Sequence, residues 1–167
     1  AKKLNENLEK AYVNRGNSNN ELKQYERAIA DYDKAIEIED AGAYVNRGTS
    51  YNELKQYERA IEDLNKAIEI EPEDASAYYN RGNSYTDLKQ YERAIADYDK
   101  TIEIMPVYVE AYINRGISYA RMEEFARAID DFTKAIGLQP ENSSAYALRS
   151  MIYTNINKFD VVIASSV

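Results

Sequence analysis

The chain has 167 residues, 44% hydrophobic and 30% charged, with a net charge of −8 and neither cysteine nor histidine. Without Cys there are no disulfides or thiolate chemistry, and without His the usual general base and the commonest transition-metal ligand are missing. The acidic balance disfavours a phosphate backbone and no apolar run is long enough to cross a bilayer, so neither nucleic acid nor a membrane is an expected partner.

Only 6 glycines and 3 prolines are present, which favours helices. Three blocks recur along the chain. Tyr12, Tyr44, Tyr78, Tyr112 and Tyr146 open the first block at spacings of 32, 34, 34 and 34. A second block reads YERAI at Tyr25, Tyr57 and Tyr91, FARAI at Phe125 and FDVVI at Phe159. A third reads KAIEI at Lys34 and Lys66, KTIEI at Lys100 and KAIGL at Lys134, with Pro72, Pro106 and Pro140 as punctuation.

Residues 1–8 are expected to be a helical stub, the end and turn of an upstream repeat with Glu6 near its proline site. Full repeats follow at 9–40, 41–74, 75–108 and 109–142, and 143–167 reads as a degenerate partial repeat, the whole forming one domain. Each repeat is predicted to hold two helices. Tyr12, Arg15, Gly16 and Asn19 share one face of the first. Tyr25, Ala28, Ile29, Tyr32, Ala35 and Ile36 form the apolar stripe of the second. Leu22 to Gln24 is the predicted connection, the prolines end the second helices, and Asp74 or Ser76 caps the next one.

Gly16, Gly48, Gly82 and Gly116 each cost a helix roughly 1 kcal/mol against alanine. The expected return is close approach to Ala28, Ala60, Ala94 and Ala128. Ala35, Ala67 and Ala135 form a second small column for the following repeat, looser at Thr101. The link EIEDAGAY is two residues shorter than EIEPEDASAY, a difference expected to be absorbed around Asp40 to Gly42.

These residues resemble the tetratricopeptide repeat (TPR) pattern W-x₂-L-G-x₂-Y, then A-x₃-F, then P, at a period near 34. Tyr78, Arg81, Gly82, Tyr85, Ala94, Tyr98 and Pro106 carry the likeness in the third repeat, and Tyr112, Arg115, Gly116, Tyr119, Ala128, Phe132 and Pro140 in the fourth. Leu64 takes the aromatic place in the second; Asn19 and Asp40 replace Tyr and Pro in the first. The resemblance implies an all-α, right-handed superhelical solenoid of antiparallel helix hairpins whose first helices line a concave groove.

Catalysis needs a nucleophile or acid–base pair in a pocket, and none is evident. Asp31/Asp33, Asp97/Asp99 and Asp130/Asp131 are adjacent or two apart and do not face each other on a helix; they read as a solvated face. Arg27–Asp31, Arg59–Asp63, Arg93–Asp97 and Arg127–Asp131 read as i,i+4 surface pairs. No calcium loop or phosphate loop fits. No enzyme activity, cofactor or metal is expected.

The functional expectation rests on Asn14, Asn46, Asn80 and Asn114, which lie about 160° around the first helix from the inward tyrosine. Lys10, Asn17 and Glu21 share that face in the first repeat; Asn83 repeats Asn17, and Val13, Val45, Tyr79 and Ile113 flank the column. A carboxamide offers one acceptor and two donors, so such a ladder suits the backbone of an extended peptide. The alternative is that asparagine is simply a solvated residue copied with the repeat. A TPR subset that grips carboxylates uses Lys and Arg where this chain has Val13, Asn17, Asn46, Ser76 and Asn80. Arg15, Arg47, Arg81, Arg115 and Arg149 read as stems packed between helices with paired heads, and the 16 tyrosines as core.

The expected function is therefore a non-catalytic protein–protein interaction scaffold for a peptide segment of a partner. The alternative is a homo-oligomer built through the C-terminal repeat, by Met151, Ile152, Val161, Val162 and Ile163; RNA binding is disfavoured by charge. The expected location is cytoplasmic, with a processed export leader compatible with the start at Ala1.

Overall fold

The computed structural model describes the backbone of residues 2–36 and 40–165, and side chains of 7–36 and 40–156. Among the described residues there are nine α-helices and no strand. They are α1 (Lys2–Glu21), α2 (Tyr25–Ile36), α3 (Ala41–Glu53), α4 (Tyr57–Ile70), α5 (Ala75–Asp87), α6 (Tyr91–Ile104), α7 (Val109–Arg121), α8 (Phe125–Leu138) and α9 (Ser143–Ser165). No described helix is long and apolar enough to cross a membrane. The chain divides into two compact units, Ala1–Leu88 and Lys89–Val167.

In the N-terminal unit α1 packs on α2, α2 on α3, α3 on α4 and α4 on α5, while α1 meets α3 and α3 meets α5. In the C-terminal unit α6 packs on α7, α7 on α8, α8 on α9, and α7 meets α9. Both are all-α arrays of antiparallel helix hairpins.

The turns follow from sequence. Lys23, Lys55, Lys89 and Glu123 adopt left-handed φ values of 57°, 58°, 59° and 62°. The next N–H then reaches back to the helix end: Gln24 to Asn19 C=O at 2.8 Å, Gln56 to Tyr51 at 2.8 Å, Glu124 to Tyr119 at 2.9 Å. This is the Schellman arrangement that satisfies terminal carbonyls. Glu71, Met105 and Gln139, each before a proline, are extended, with ψ of 85°, 84° and 85°. Of the two expected caps, Asp74 is the one used: its Oδ1 accepts from Ser76 N–H at 2.8 Å.

Asp40 is also a cap, accepting from Gly42 N–H at 2.9 Å, so it corresponds to Asp74 rather than to a proline. The shortening therefore falls before Asp40, next to residues 37–39, which lie outside the described residues. Register survives the shorter link. Arg47 reaches Asp33 across 14 residues where Arg115 reaches Asp99 across 16.

The glycine columns face a larger partner than alanine. A Cβ built on Gly16 would lie 2.6 Å from Tyr32 Cε1, one on Gly48 2.9 Å from Leu64 Cγ, and one on Gly116 2.8 Å from Phe132 Cε1. The alanine is a secondary neighbour, Ala60 C=O lying 3.3 Å from the Gly48 position. Tyr32, Leu64 and Phe132 are thus buried by the side chain their partners lack. Ala67 packs with Ala77, and Ala135 with Ala145, of the following repeat. Thr101 is fully buried, and its hydroxyl donates to Asp97 C=O at 2.9 Å.

Both ends depart from expectation. α1 runs unbroken from Lys2 to Glu21, with no turn near Glu6. α9 continues through FDVVI as one helix, so the last segment is no hairpin.

Candidate functional site

Each first helix carries arginine three residues after its tyrosine. Arg15 Nη2 donates to Asp31 Oδ1 at 2.5 Å and Nε to Oδ2 at 2.9 Å. Arg47 grips Asp63 with Nη2 and Nε at 2.6 and 2.7 Å, and Asp33 with Nη1 at 2.5 Å. Arg115 does the same to Asp131, at 2.6 and 2.9 Å, and to Asp99 at 2.6 Å. Each guanidinium also lies over its tyrosine, Arg47 at 5.7 Å from the Tyr44 centroid and Arg115 at 5.6 Å from Tyr112. Arg47 and Arg115 are therefore structural clamps on two successive second helices, and Arg15 holds one.

This corrects the surface reading of the aspartates. Asp31, Asp63, Asp97 and Asp131 are buried. Arg27 and Arg59 turn instead to Gln24 and Gln56, at 2.7 and 2.8 Å, and Arg127 to Glu124 at 2.9 Å. The i,i+4 spacing loses because a bidentate fork from a neighbouring helix satisfies a desolvated carboxylate better than a solvated arginine. The Arg15 guanidinium holds the Asp31 carboxyl below the usual range. At Asp131, burial wins and pushes the carboxyl up despite Arg115.

On the other side of α1, Lys10, Asn14, Asn17 and Glu21 are all exposed, as one face requires. Asn17 is the centre of a network. Tyr32 Oη donates to Asn17 Oδ1 at 2.8 Å, and Asn46 Nδ2 donates to the same oxygen at 3.1 Å. With Oδ1 of Asn17 engaged as a double acceptor, its Nδ2 remains as a donor and Asn46 keeps Oδ1 as an acceptor. Tyr32 is buried, and burial, reinforced by the Asp31 charge, pushes its hydroxyl pKa up to about 12.

The other expected site residues divide. Asn80, half-buried on α5, turns its Nδ2 to Ser76 C=O at 2.9 Å, while its own C=O accepts from Asn52 Nδ2 at 3.2 Å. Val13, Tyr79 and Asn83 are half-buried. Val45 is core, 8% exposed and packed with Leu64 and Ala77, because α4 and α5 close over it. Asn114 and Ile113 lie on α7 in the C-terminal unit; Ile113 packs against Tyr112 and Ala145. Asn14, Asn17, Asn46 and Asn80 are placed on first helices of the N-terminal unit, and Asn17 and Asn46 are directly bonded.

A second polar seam escaped the sequence reading. Ser50 Oγ donates to Asn20 Oδ1 at 3.0 Å and Ser84 Oγ to Asn52 Oδ1 at 2.7 Å, tying α3 to α1 and α5 to α3. Its signal was a serine two residues after each glycine, at Ser18, Ser50, Ser84 and Ser118. Among the described residues no group of carboxylates could hold a metal ion.

The tetratricopeptide repeat profile matches residues 9–40, 75–107 and 109–142, and a TPR repeat profile matches 48–88. No curated protein matches the chain. Among solved structures, MamA is 24% identical with a TM-score of 0.81, over 94% of this chain and 87% of that one. The Arabidopsis OM64 TPR domain is 24% identical with a TM-score of 0.67, over 69% and 95%. The first TPR of Spaghetti (RPAP3), bound to the HSP90 peptide SRMEEVD, is 23% identical with a TM-score of 0.68, over 70% and 93%. At these identities the likeness is one of fold; the repeat profiles, which together span most of the chain, place it in the tetratricopeptide repeat family.

Proposed function

We propose that this chain holds an extended segment of a partner protein against the first-helix face of its N-terminal unit. The TPR fold is a protein–protein interaction scaffold and its members are generally non-catalytic. The observation that carries the reading is the network of Tyr32, Asn17 and Asn46. It holds two carboxamides on neighbouring helices with a donor and an acceptor remaining. A peptide unit offers the matching C=O and N–H, so backbone is read without regard to side chains. Because the carboxamides are already ordered, little receptor entropy is lost on binding.

The HSP90 peptide of the Spaghetti complex is not the expected ligand. The places that would supply cations hold Val13, Asn17, Asn46, Ser76 and Asn80. The test uses a partner segment mapped after affinity capture. Asn46→Ala with Asn80→Ala is expected to weaken it by about 5- to 150-fold, two hydrogen bonds at roughly 0.5–1.5 kcal/mol each, with the melting temperature nearly unchanged. N-methylation of one peptide unit of the segment should have a similar effect. Equal affinity of wild type and double variant overturns the ladder. A second reading, self-association through α9, is favoured by the exposure of Met151 and Tyr153. Of the residues first expected there, Ile152 is buried, and Val161, Val162 and Ile163 lie outside the described side chains. Light scattering across a dilution series tests it, and a monomer at all concentrations removes it.

A further inference from the structure

In three hairpins the arginine of the first helix uses its nitrogens in the same way. Nε and Nη2 fork onto the aspartate 16 residues later, at 2.9 and 2.5 Å for Arg15 and Asp31, 2.7 and 2.6 Å for Arg47 and Asp63, and 2.9 and 2.6 Å for Arg115 and Asp131. Nη1 turns back to the preceding second helix, to Asp33 from Arg47 and to Asp99 from Arg115. Arg149 on α9 keeps half of this arrangement. Its Nη1 donates to Thr133 Oγ1 of α8 at 3.0 Å, and its guanidinium lies 5.7 Å from the Tyr146 centroid, as that of Arg47 does from Tyr44. The residue 16 places later is Ser165, which has no carboxylate. Its backbone continues the same helix, about 24 Å further along the axis. Among the described residues no carboxylate pairs with Arg149, so Nε and Nη2 are set as a fork that grips nothing.

The face around this fork is bare where its counterparts are covered. Tyr146, Arg149, Ser150 and Tyr153 fall at i, i+3, i+4 and i+7 of α9, the side on which the other first helices carry a second helix. Tyr146 is 45% exposed against 7% for Tyr112, and Tyr153 49% against 5% for Tyr51. Ser150 is exposed, whereas Gly48, Gly82 and Gly116 at its place are buried. Leu148 and Ile152, on the opposite side of α9, line a separate cavity of about 400 Å³ with Ile117 and Phe132.

We propose that the Arg149 face of α9 docks a helix of a partner protein, one that carries an aspartate in its apolar stripe and a small residue directly after it. The chain itself displays the chemistry that fits such a fork. Each held aspartate stands between fully buried alanines, three residues after one and four before the other: Ala28 and Ala35, Ala60 and Ala67, Ala128 and Ala135. The residue after the aspartate is large, Tyr32, Leu64 or Phe132, because it fills the space over a glycine. Ser150 puts a side chain into that space, so the partner has alanine, serine or glycine there. A second copy of the chain offers no such helix. Its Asp31, Asp63 and Asp131 are held by their own arginines, Asp97 is buried, and all four precede a large side chain. The occupant is a helix on the C-terminal unit, so this inference stands apart from the extended segment proposed for the N-terminal one.

The probe is acetyl-YERAIADADKAI-amide, the sequence of α2 with alanine in place of its second tyrosine. It is titrated into protein labelled with ¹⁵N at arginine, and the Arg149 Nε–H resonance, identified by its loss in Arg149→Gln, is expected to shift. Replacing the probe's first aspartate by asparagine should weaken binding about tenfold or more, and Arg149→Gln by as much, since each removes a bidentate charged contact. Combined, the two changes should cost little more than either alone. Restoring the tyrosine in the probe should weaken it about fivefold or more by overpacking, and Ser150→Gly should rescue that tyrosine probe. Asn46→Ala should leave all of these values unchanged. An Arg149 resonance that does not move, equal binding of the aspartate and asparagine probes, or a tyrosine probe that Ser150→Gly does not rescue overturns the proposal. So does an Arg149 resonance that shifts with protein concentration in the absence of peptide, which assigns the face to a second copy of the chain.

Discussion

Replacing glycine by alanine at three places separates helix propensity from packing. Alanine gains about 1 kcal/mol over glycine in a helix interior. At Gly137 an added Cβ meets nothing within 4 Å, so Gly137→Ala should stabilise by about 0.5–1 kcal/mol, less fraying near the end of α8. At Gly16 the Cβ would lie 2.6 Å from Tyr32 Cε1. The ring has nowhere to go, since its hydroxyl is held at 2.8 Å by Asn17. Overpacking costs about 1–3 kcal/mol, and shifting the ring forfeits a hydrogen bond of about 1 kcal/mol. Gly16→Ala should therefore destabilise by about 1–3 kcal/mol after the propensity gain. At Gly116 the clash with Phe132 Cε1 is 2.8 Å, but Phe132 has no hydroxyl tether and borders the 400 Å³ cavity. The ring can tilt into that space, and Gly116→Ala should cost no more than about 1 kcal/mol. Urea unfolding combined with hydrogen exchange resolved by helix is the assay, because a repeat array need not unfold in one step. If Gly116→Ala costs as much as Gly16→Ala, the cavity does not yield and the reasoning fails.

Two further outcomes follow from the clamps and the tyrosine. Arg47→Met should destabilise by about 2–4 kcal/mol, since it strands Asp63 in a buried site; Arg15→Met should cost clearly less, because its side chain is 64% exposed against 18% for Arg47 and Asn19 still donates to Asp31 at 2.9 Å. Thermal melting of the two variants orders them, and equal losses would contradict the clamp. At alkaline pH the sign follows from Tyr32. Its folded pKa of about 12 exceeds the usual 10, so its contribution is complete below pH 10 and is lost as pH rises toward 12. Tyr32→Phe should flatten that decline in urea midpoints between pH 9 and 12, leaving the part due to Tyr51 and Tyr119, which burial also raises. An unchanged slope would refute the assignment.

Much of the architecture was legible because it repeats. Tyr12, Gly16, Ala28 and Pro72 give the period, the helix boundaries and the turns without any tertiary knowledge. What sequence misjudged are choices among partners that local spacing cannot rank. Asp31 has Arg27 four residues away and Arg15 sixteen away, and only packing reveals that the distant one reaches it with a fork. Glycine was matched to alanine, yet Tyr32, Leu64 and Phe132 fill its space, because a second helix presents its longest side chain where the first has none. Val45 read as groove flank and is core, since helices on both sides cover it. At the two ends, α1 and α9 run straight through residues that imitate a turn.

The candidate site was legible in residue type but not in state. Asparagine at 14, 46 and 80 marks a face, but what a carboxamide can offer depends on which of its atoms are already engaged. Asn80 spends its amide on Ser76, whereas Asn46 spends its amide on Asn17 and keeps its oxygen. Equivalent columns therefore do not offer equivalent chemistry. The residues that hold the hairpins, glycine against a large side chain and arginine on a buried aspartate, answer to packing. The residues at the positions of Asn17, Asn46 and Ser50 answer only to one another, so all can change together, provided every buried donor keeps an acceptor or is removed with it. The C-terminal unit has made that change in full, with Ile117, Leu148 and Ile152 as the outcome. One scaffold can in this way carry a hydrogen-bonded polar face in one unit and an apolar cavity in the other.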